Sequence, residues 1–170
     1  MFLYCQVTRS SAYPPASVLS AGYQISCGAT SEQVAGNVTW FPDGPFVHGG
    51  EVAELGSPGV MMPMLSSLRY FPDASAGKHC YVVPAARHAR YLVRTTYYEA
   101  VVEAAGKELS VCLARSRDTA PGRSPFISAL QVVPLEASVY GAVNFTAYAL
   151  STIARHSFGG RGGCCCKYRQ

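Results

Sequence analysis

Four histidines, His48, His79, His88 and His156, are the side chains best suited to act as bases or metal ligands, and their spacing gives them no shared site. None forms the H-x-x-x-H or H-E-x-x-H pair that brings two imidazoles onto one helix face. Surface or strand-end positions account for them. The chain has no G-x-S-x-G elbow, no P-loop and no G-x-G-x-x-G turn. A two-carboxylate hydrolase needs two facing acids, and nothing in the spacing of the ten Asp and Glu residues pairs two of them. The expectation is a protein without a catalytic, metal or cofactor site, and so not an enzyme.

Cysteine carries two open readings. Cys27, Cys80 and Cys112 each fall in a predicted strand and lack C-x-x-C spacing, which argues against zinc. Bridges between strands of a secreted domain and buried free thiols both fit. The run Cys164-Cys165-Cys166 is open to palmitoylation or metal binding, but its glycine-rich setting reads as an unstructured terminus. Two N-x-[ST] sequons, Asn37-Val38-Thr39 and Asn144-Phe145-Thr146, agree with secretion, and Asn37, just before a strand, is expected to be the more accessible.

The elements that would carry these residues read as β-structure. Eleven tyrosines, eleven prolines and sixteen glycines favour strands and tight turns over long helices. Strands are predicted at Tyr23-Gln24-Ile25-Ser26-Cys27, Val38-Thr39-Trp40-Phe41, His79-Cys80-Tyr81-Val82-Val83, residues 91–98 and Leu109-Ser110-Val111-Cys112-Leu113. Residues 126–135 read as one strand, apolar on both alternations and so covered on two faces, with Phe126, Ile127, Leu130 and Val132 in the core. Residues 49–77 read as an excursion with no regular element, in which Met61, Met62 and Met64 anchor a loop on the core. Residues 146–155 read as a short helix, because Tyr148, Leu150 and Ile153 share a stripe. Repeated short strands between turns fit a β-sandwich or jelly roll.

Charge narrows the partners. The net charge of +4 comes entirely from Arg155, Arg161, Lys167 and Arg169, since ten basic and ten acidic residues cancel over residues 1–154. A neutral body offers no basic face to displace phosphate counterions, so nucleic acid is not an expected partner. No stretch approaches the ~20 apolar residues of a membrane-spanning helix. Residues 1–22 make a poor signal peptide, because Gln6, Thr8, Arg9, Ser10 and Ser11 interrupt any apolar run.

Seven motifs in order resemble the malectin-like ectodomain of plant leucine-rich-repeat receptor-like kinases. Ile25-Ser26-Cys27-Gly28 is similar to the family's I-D-C-G, with Ser26 in place of the acid. Trp40, Asp43, Phe46 and Gly49 resemble its aromatic, Asp, Phe and Gly pattern. Leu68-Arg69-Tyr70-Phe71-Pro72 and His79-Cys80-Tyr81 resemble V-R-x-F-P and N-C-Y. Tyr91-Leu92-Val93-Arg94 and Ser110-Val111-Cys112-Leu113 resemble Y-L-[IV]-R and V-C-L. Ser124-Pro125-Phe126-Ile127-Ser128-Ala129-Leu130 with Pro134-Leu135 resembles P-F-I-S-A-L-E-x-x-P-L.

The resemblance implies an all-β malectin-like jelly-roll sandwich, incomplete and ending in the short helix. It divides the chain into a poorly ordered segment 1–21, a first module 22–136 shortened between Tyr98 and Glu99, the start of a second module 137–159, and a low-complexity tail 160–170. It implies a non-catalytic extracellular domain of a receptor-like kinase that binds a carbohydrate or peptide, beside a co-receptor kinase, at the plasma membrane. The membrane helix and kinase are missing here, so the expectation is a fragment, with a soluble secreted or decoy binder of cell-wall glycan as the alternative. Export would pair Cys80 with Cys112, leaving Cys27 as a buried thiol or the partner of Cys5. Trp40, Tyr70, Tyr97 and Tyr98 could stack on a sugar ring, but strand aromatics more often fill a core, so no ligand-binding residue is assigned.

Overall fold

The computed structural model describes residues 2–6, 22–56, 62–73, 75–117, 119–120, 122–145 and 147–153, the first of these stretches as backbone only. Thirteen strands make up almost all of its regular structure: β1 Phe2–Gln6, β2 Tyr23–Ser26, β3 Gln33–Ala35, β4 Val38–Pro42, β5 Glu51–Glu54, β6 Ser67–Tyr70, β7 Lys78–Pro84, β8 Arg90–Thr95, β9 Glu99–Glu103, β10 Glu108–Ala114, β11 Phe126–Ile127, β12 Ala129–Leu135 and β13 Leu150–Ser151. They form a seven-stranded sheet in the order β13-β9-β8-β12-β2-β4-β3, a three-stranded sheet β1-β10-β7, and a small sheet β11-β6-β5. Neighbours pair antiparallel except β2 and β4, which run parallel.

The core lies between the first two sheets. Tyr81, Val83, Leu109, Val111 and Leu113 meet Ile25, Tyr91, Val93, Leu130 and Val132 from the facing sheet. Strand β8 shows why: Tyr91, Val93 and Thr95 point inward while Arg90, Leu92 and Arg94 alternate outward. The result is an open, all-β sandwich. Cys80 and Cys112 are register partners on β7 and β10 and are joined by a disulfide, with Cα atoms 4.0 Å apart. Closing a loop with a sequence separation of 32 stabilises the fold by roughly 3–4 kcal/mol on the chain-entropy account.

Several sequence expectations give way. Residues 2–6, expected to be poorly ordered, form β1 and pair with β10 along their whole length. The excursion at 49–77 contains β5, a 3-10 turn at Pro63–Leu65, and β6. Its strands were hidden because β5 is an edge carrying Glu51 and Glu54, whose charges break the apolar alternation. The C-terminal helix is absent among the described residues of 146–155. Leu150 and Ser151 pair with β9 instead, and the Thr152 N–H donates to the Glu99 carbonyl at 3.0 Å. Tyr148 and Ile153 are largely exposed, so the supposed stripe has no surface to bury against, and so short a helix cannot hold itself together.

Residues 126–135 make two strands rather than one. The chain changes sheet at Ser128, so Phe126 pairs with Tyr70 on β6 and is 46% exposed, while Ile127, Leu130 and Val132 are fully buried. The strand buried on both alternations is β10, from Glu108 to Leu113. The expectations for residues 7–21 and 160–170, Met61, His156, the Cys5 thiol and Cys164 to Cys166 lie outside the described residues. Residues 137–153 are tied to the main sheet: Arg90 donates to the carbonyls of Ala137 and Val139 at 2.8 and 2.7 Å, stacks over Phe145, and β13 extends β9.

The Phe126 and Leu130 positions separate in a stability measurement. Leu130→Ala is expected to cost about 2–5 kcal/mol in urea unfolding. Phe126→Ala, half exposed, should cost no more than about 1 kcal/mol. Equal losses would contradict the change of sheet at Ser128.

Candidate ligand-binding groove

The outer face of the seven-stranded sheet is formed by the side chains that alternate away from the core. Gln131 stands beside Gln24 on one side and Arg94 on the other in the strand register, and Ala129 stands beside Ser26. Trp40 and Val38 continue this face on β4, opposite Gln33 and Ala35 on β3. Over it the segment around the Pro63–Leu65 turn folds back, and Met64 packs with Trp40 and Ala129 in a second small core. Between them lies a groove of about 540 Å³. Its walls are apolar at Ala35, Val38, Met62 and Leu65, with Arg94, Thr96 and Gln131 at the polar end.

Local hydrogen bonds fix this geometry. The Ser26 hydroxyl, fully buried, lies 3.1 Å from Gln33 Oε1 and 3.4 Å from the Met64 carbonyl, so it joins β2, β3 and the overhanging segment. Ser67 donates to the Cys27 carbonyl at 3.0 Å. Gly28, at φ +82°, sits so close that a Cβ would lie 2.7 Å from the Leu68 carbonyl oxygen; only glycine meets both demands. At the polar end Arg94 donates to Glu99 at 2.7 Å and to Gln131 Oε1 at 3.3 Å, so its charge is partly answered before any ligand arrives. The Trp40 indole N–H is buried and meets no acceptor among the described residues.

Beneath the groove, three motifs that lie far apart in sequence converge. The Asp43 carboxylate, fully buried, accepts from Arg69 Nε at 2.6 Å, from Arg69 Nη2 at 2.7 Å and from the Tyr81 hydroxyl at 2.8 Å. Cys27 is a buried free thiol against the same tyrosine, and burial above all pushes its pKa up, which leaves it unreactive. The hydrogen bond that Arg69 donates to Asp43 raises the Arg69 pKa. Of the family-like residues, Cys27, Asp43, Arg69 and Tyr81 therefore form a structural brace.

The aromatics considered for sugar stacking are each engaged elsewhere. Trp40 is 7% exposed. The Tyr70 hydroxyl donates to Glu51, and Tyr97 donates to the Phe126 carbonyl at 2.8 Å and meets the Phe126 ring edge-on. Tyr98 packs against the main core. His48 and His88 are exposed, His88 lying 3.5 Å from Glu103, and His79 stacks on Phe71. No group of three His, Cys, Asp or Glu side chains among the described residues could hold a metal. Sequence reasoning missed Arg94, Thr96, Ala129 and Gln131 as groove residues. Only the outward alternation of β8 and β12 could have marked them.

With this geometry in place, the chain can be set beside known proteins. The family model of the malectin-like domain matches residues 25–101 and 96–170. The chain belongs to the malectin-like family. Its fold is similar to the ANXUR2 extracellular domain from Arabidopsis thaliana, with a TM-score of 0.57 at 17% identity over 67% of this chain and 41% of that one. It is also similar to the plant receptor-like kinases ANX1, with a TM-score of 0.58 at 15% identity over 69% and 42%, and FER, with 0.55 at 14% over 70% and 43%. The chain thus spans less than half the length of these solved structures. No curated protein sequence matches it. No helix among the described residues is long and apolar enough to cross a membrane.

Two expectations test the brace. Asp43→Ala leaves the Tyr81 hydroxyl and the Arg69 guanidinium without their partner and should cost about 3–5 kcal/mol in chemical unfolding; a loss near zero would show that solvent reaches the site. The second concerns alkaline pH. Burial, and then Tyr91, push Tyr23 up from 10.0 to about 12, and burial first also raises Tyr81 and Tyr97. Because the folded protein holds the neutral phenols, their contribution is complete below pH 10 and is lost as pH rises through 12 for Tyr23. Circular dichroism should hold to about pH 10, then fall in step with a jump in phenolate absorbance. Phenolates forming while the sheet signal stays intact would contradict the packing.

Proposed function

We propose that this chain is a non-catalytic recognition module of the extracellular, receptor-kinase kind, and that the groove on the outer sheet face takes a short peptide with apolar side chains. One observation carries the choice of ligand: the groove is walled by methionine and aliphatic side chains, and its sole aromatic, Trp40, is buried. Sugar recognition calls for an exposed ring face on which a pyranose can stack, and an apolar groove with convergent polar groups at one end suits a peptide better. The hydroxyl of Thr96, and the hydrogen-bonding capacity that the Gln131 amide keeps beyond Gln24 and Arg94, would orient such a chain. Met62, exposed and unbranched, can adapt to more than one side chain.

The fold likeness to receptor-like kinase ectodomains supports an extracellular setting, in which a membrane-anchored kinase or co-receptor would carry the signal. The two stretches matched by the family model meet at residues 96–101, at the β8–β9 hairpin, which fits a first module shortened at that point. A glycan ligand remains the second reading, on the family alone.

Thr96 is exposed on the β8–β9 turn, outside both cores, so Thr96→Trp is expected to fill the groove while leaving both cores intact. In titration calorimetry against a library of short apolar peptides and against cell-wall oligosaccharides, peptide binding is expected, weakened at least tenfold by Thr96→Trp. Oligosaccharide binding that Thr96→Trp leaves unchanged would overturn this reading.

A further inference from the structure

The β3–β4 hairpin ends in a two-residue turn, Gly36-Asn37, with Ala35 and Val38 paired across it. Gly36 lies at φ +61° and Asn37 is not in the left-handed region, the signature of a type II′ turn. The turn projects Asn37 into solvent at the far corner of the seven-stranded sheet. Its two neighbours, Gly36 and Val38, both line the groove. The same corner is the least protected part of the fold. Strand β3 is an unpaired edge among the described residues, Val34 on it is 66% exposed, Val38 39%, and Met62 across the groove 53%. Edges with exposed β-branched residues invite pairing with a second chain, and β3 lacks the lysine or proline that guards against it.

We propose that Asn37 is N-glycosylated and that its glycan screens the β3 edge and the rim of the groove. Asn37, Val38 and Thr39 meet the acceptor rule, with no proline in the middle. The donor is an oligosaccharide carried on a lipid diphosphate. The Asn37 side-chain nitrogen displaces the diphosphate at the anomeric carbon: the carbon–nitrogen bond forms, the carbon–oxygen bond breaks, the lipid diphosphate leaves, and the amide gives up one proton. No electrons change hands. A hydrated, bulky group at the tip of a two-residue hairpin costs the fold nothing, because a Cβ at Gly36 would meet nothing within 4 Å and Asn37 itself is exposed. There it stands beside the groove mouth and over the open ladder, excluding a second β3 edge while leaving the polar end at Arg94 and Gln131 free. Asn144 is exposed as well, but it sits in the 137–145 segment, whose turn is closed by the N–H groups of Ala147 and Tyr148 on its carbonyl, and it does not line the groove.

This proposal rests on export, so the test imposes export rather than assuming it. The full chain is expressed behind an added secretion signal in eukaryotic cells and weighed intact before and after enzymatic removal of N-glycans. Asn37→Gln and Thr39→Ala should each lose one glycan mass, Thr39→Ser should keep it, and Asn144→Gln should leave the Asn37 glycan in place. A secreted chain with Asn37 bare overturns the assignment, whether or not Asn144 is occupied, and says nothing against the groove, which Thr96→Trp tests separately. Screening has its own readout in sedimentation. Asn37→Gln, folded by circular dichroism, should associate at concentrations where the glycosylated chain is monomeric, and adding Val34→Lys should restore the monomer. Thr39→Ala repeats the comparison with Asn37 unchanged. If both bare variants remain monomeric at the same concentrations, the glycan does not guard the edge.

Discussion

A carboxylate cut off from water has to find its counter-charge and its hydrogen-bond donors within the protein, and Asp43 finds all of them. Two guanidinium nitrogens of Arg69 and the Tyr81 hydroxyl converge on it at 2.6–2.8 Å. Those partners come from the end of β4, from β6 and from β7, so one ion locks a member of each of the three sheets into a single relative position. Removing one partner of such a set leaves the others buried and uncompensated, which is why geometry here is specified and not merely favoured. The groove inherits that precision. Its floor on β4 and its overhang before β6 are the segments that the Asp43–Arg69 pair holds at fixed spacing.

Two cysteine environments share the same sandwich and have opposite chemistry. Cys80 and Cys112 face each other across β7 and β10 and close a covalent bridge. Cys27 stays a thiol under Gly28, sealed in the core against Tyr81, where desolvation holds it protonated. The bridge ties together the smaller sheet, which is three strands wide. The larger sheet, seven strands wide, relies on side-chain ladders across its outer face, such as Gln24–Gln131–Arg94–Glu99.

The outer face of that larger sheet illustrates how a sandwich acquires a binding surface. Its inner residues are bound to the core by alternation, so its outer ones are free to differ. Where the overhang of Met62 to Leu65 covers them, apolar side chains meet and a groove forms. Towards β3 the cover ends, and Val34 and Phe41 are left exposed on the opposite side of the hairpin. A binding groove and an unprotected edge are therefore consequences of the same local geometry.

The sequence by itself determined the β class, the position of the strands with strong alternation or β-branched runs, and the family, because those depend on local pattern and on motifs that survive in linear order. It placed β2, β4, β7, β8 and β10 close to where they lie, and it picked Ile127, Leu130 and Val132 as core. Only the tertiary structure decided that Phe126 is outside, since the change of sheet at Ser128 is set by which edge, β6 or β2, each residue can reach. Strands β1, β5 and β13 were illegible for the same reason: an edge strand is defined by the partner that takes up its backbone hydrogen bonds, and Glu51, Glu54 or Ser151 carry no trace of that partner in their own side chains. The helix expected near Ile153 failed because periodicity describes a face without saying whether anything faces it. The motifs centred on Cys27, Asp43, Arg69 and Tyr81 could be read one by one along the chain, but that they meet at one buried carboxylate is a fact of three dimensions. Of the groove residues, Arg94 and Ala129 sit in separate family-like motifs and Thr96 and Gln131 in none; nothing in linear order joins them, and the fold alone brought them together.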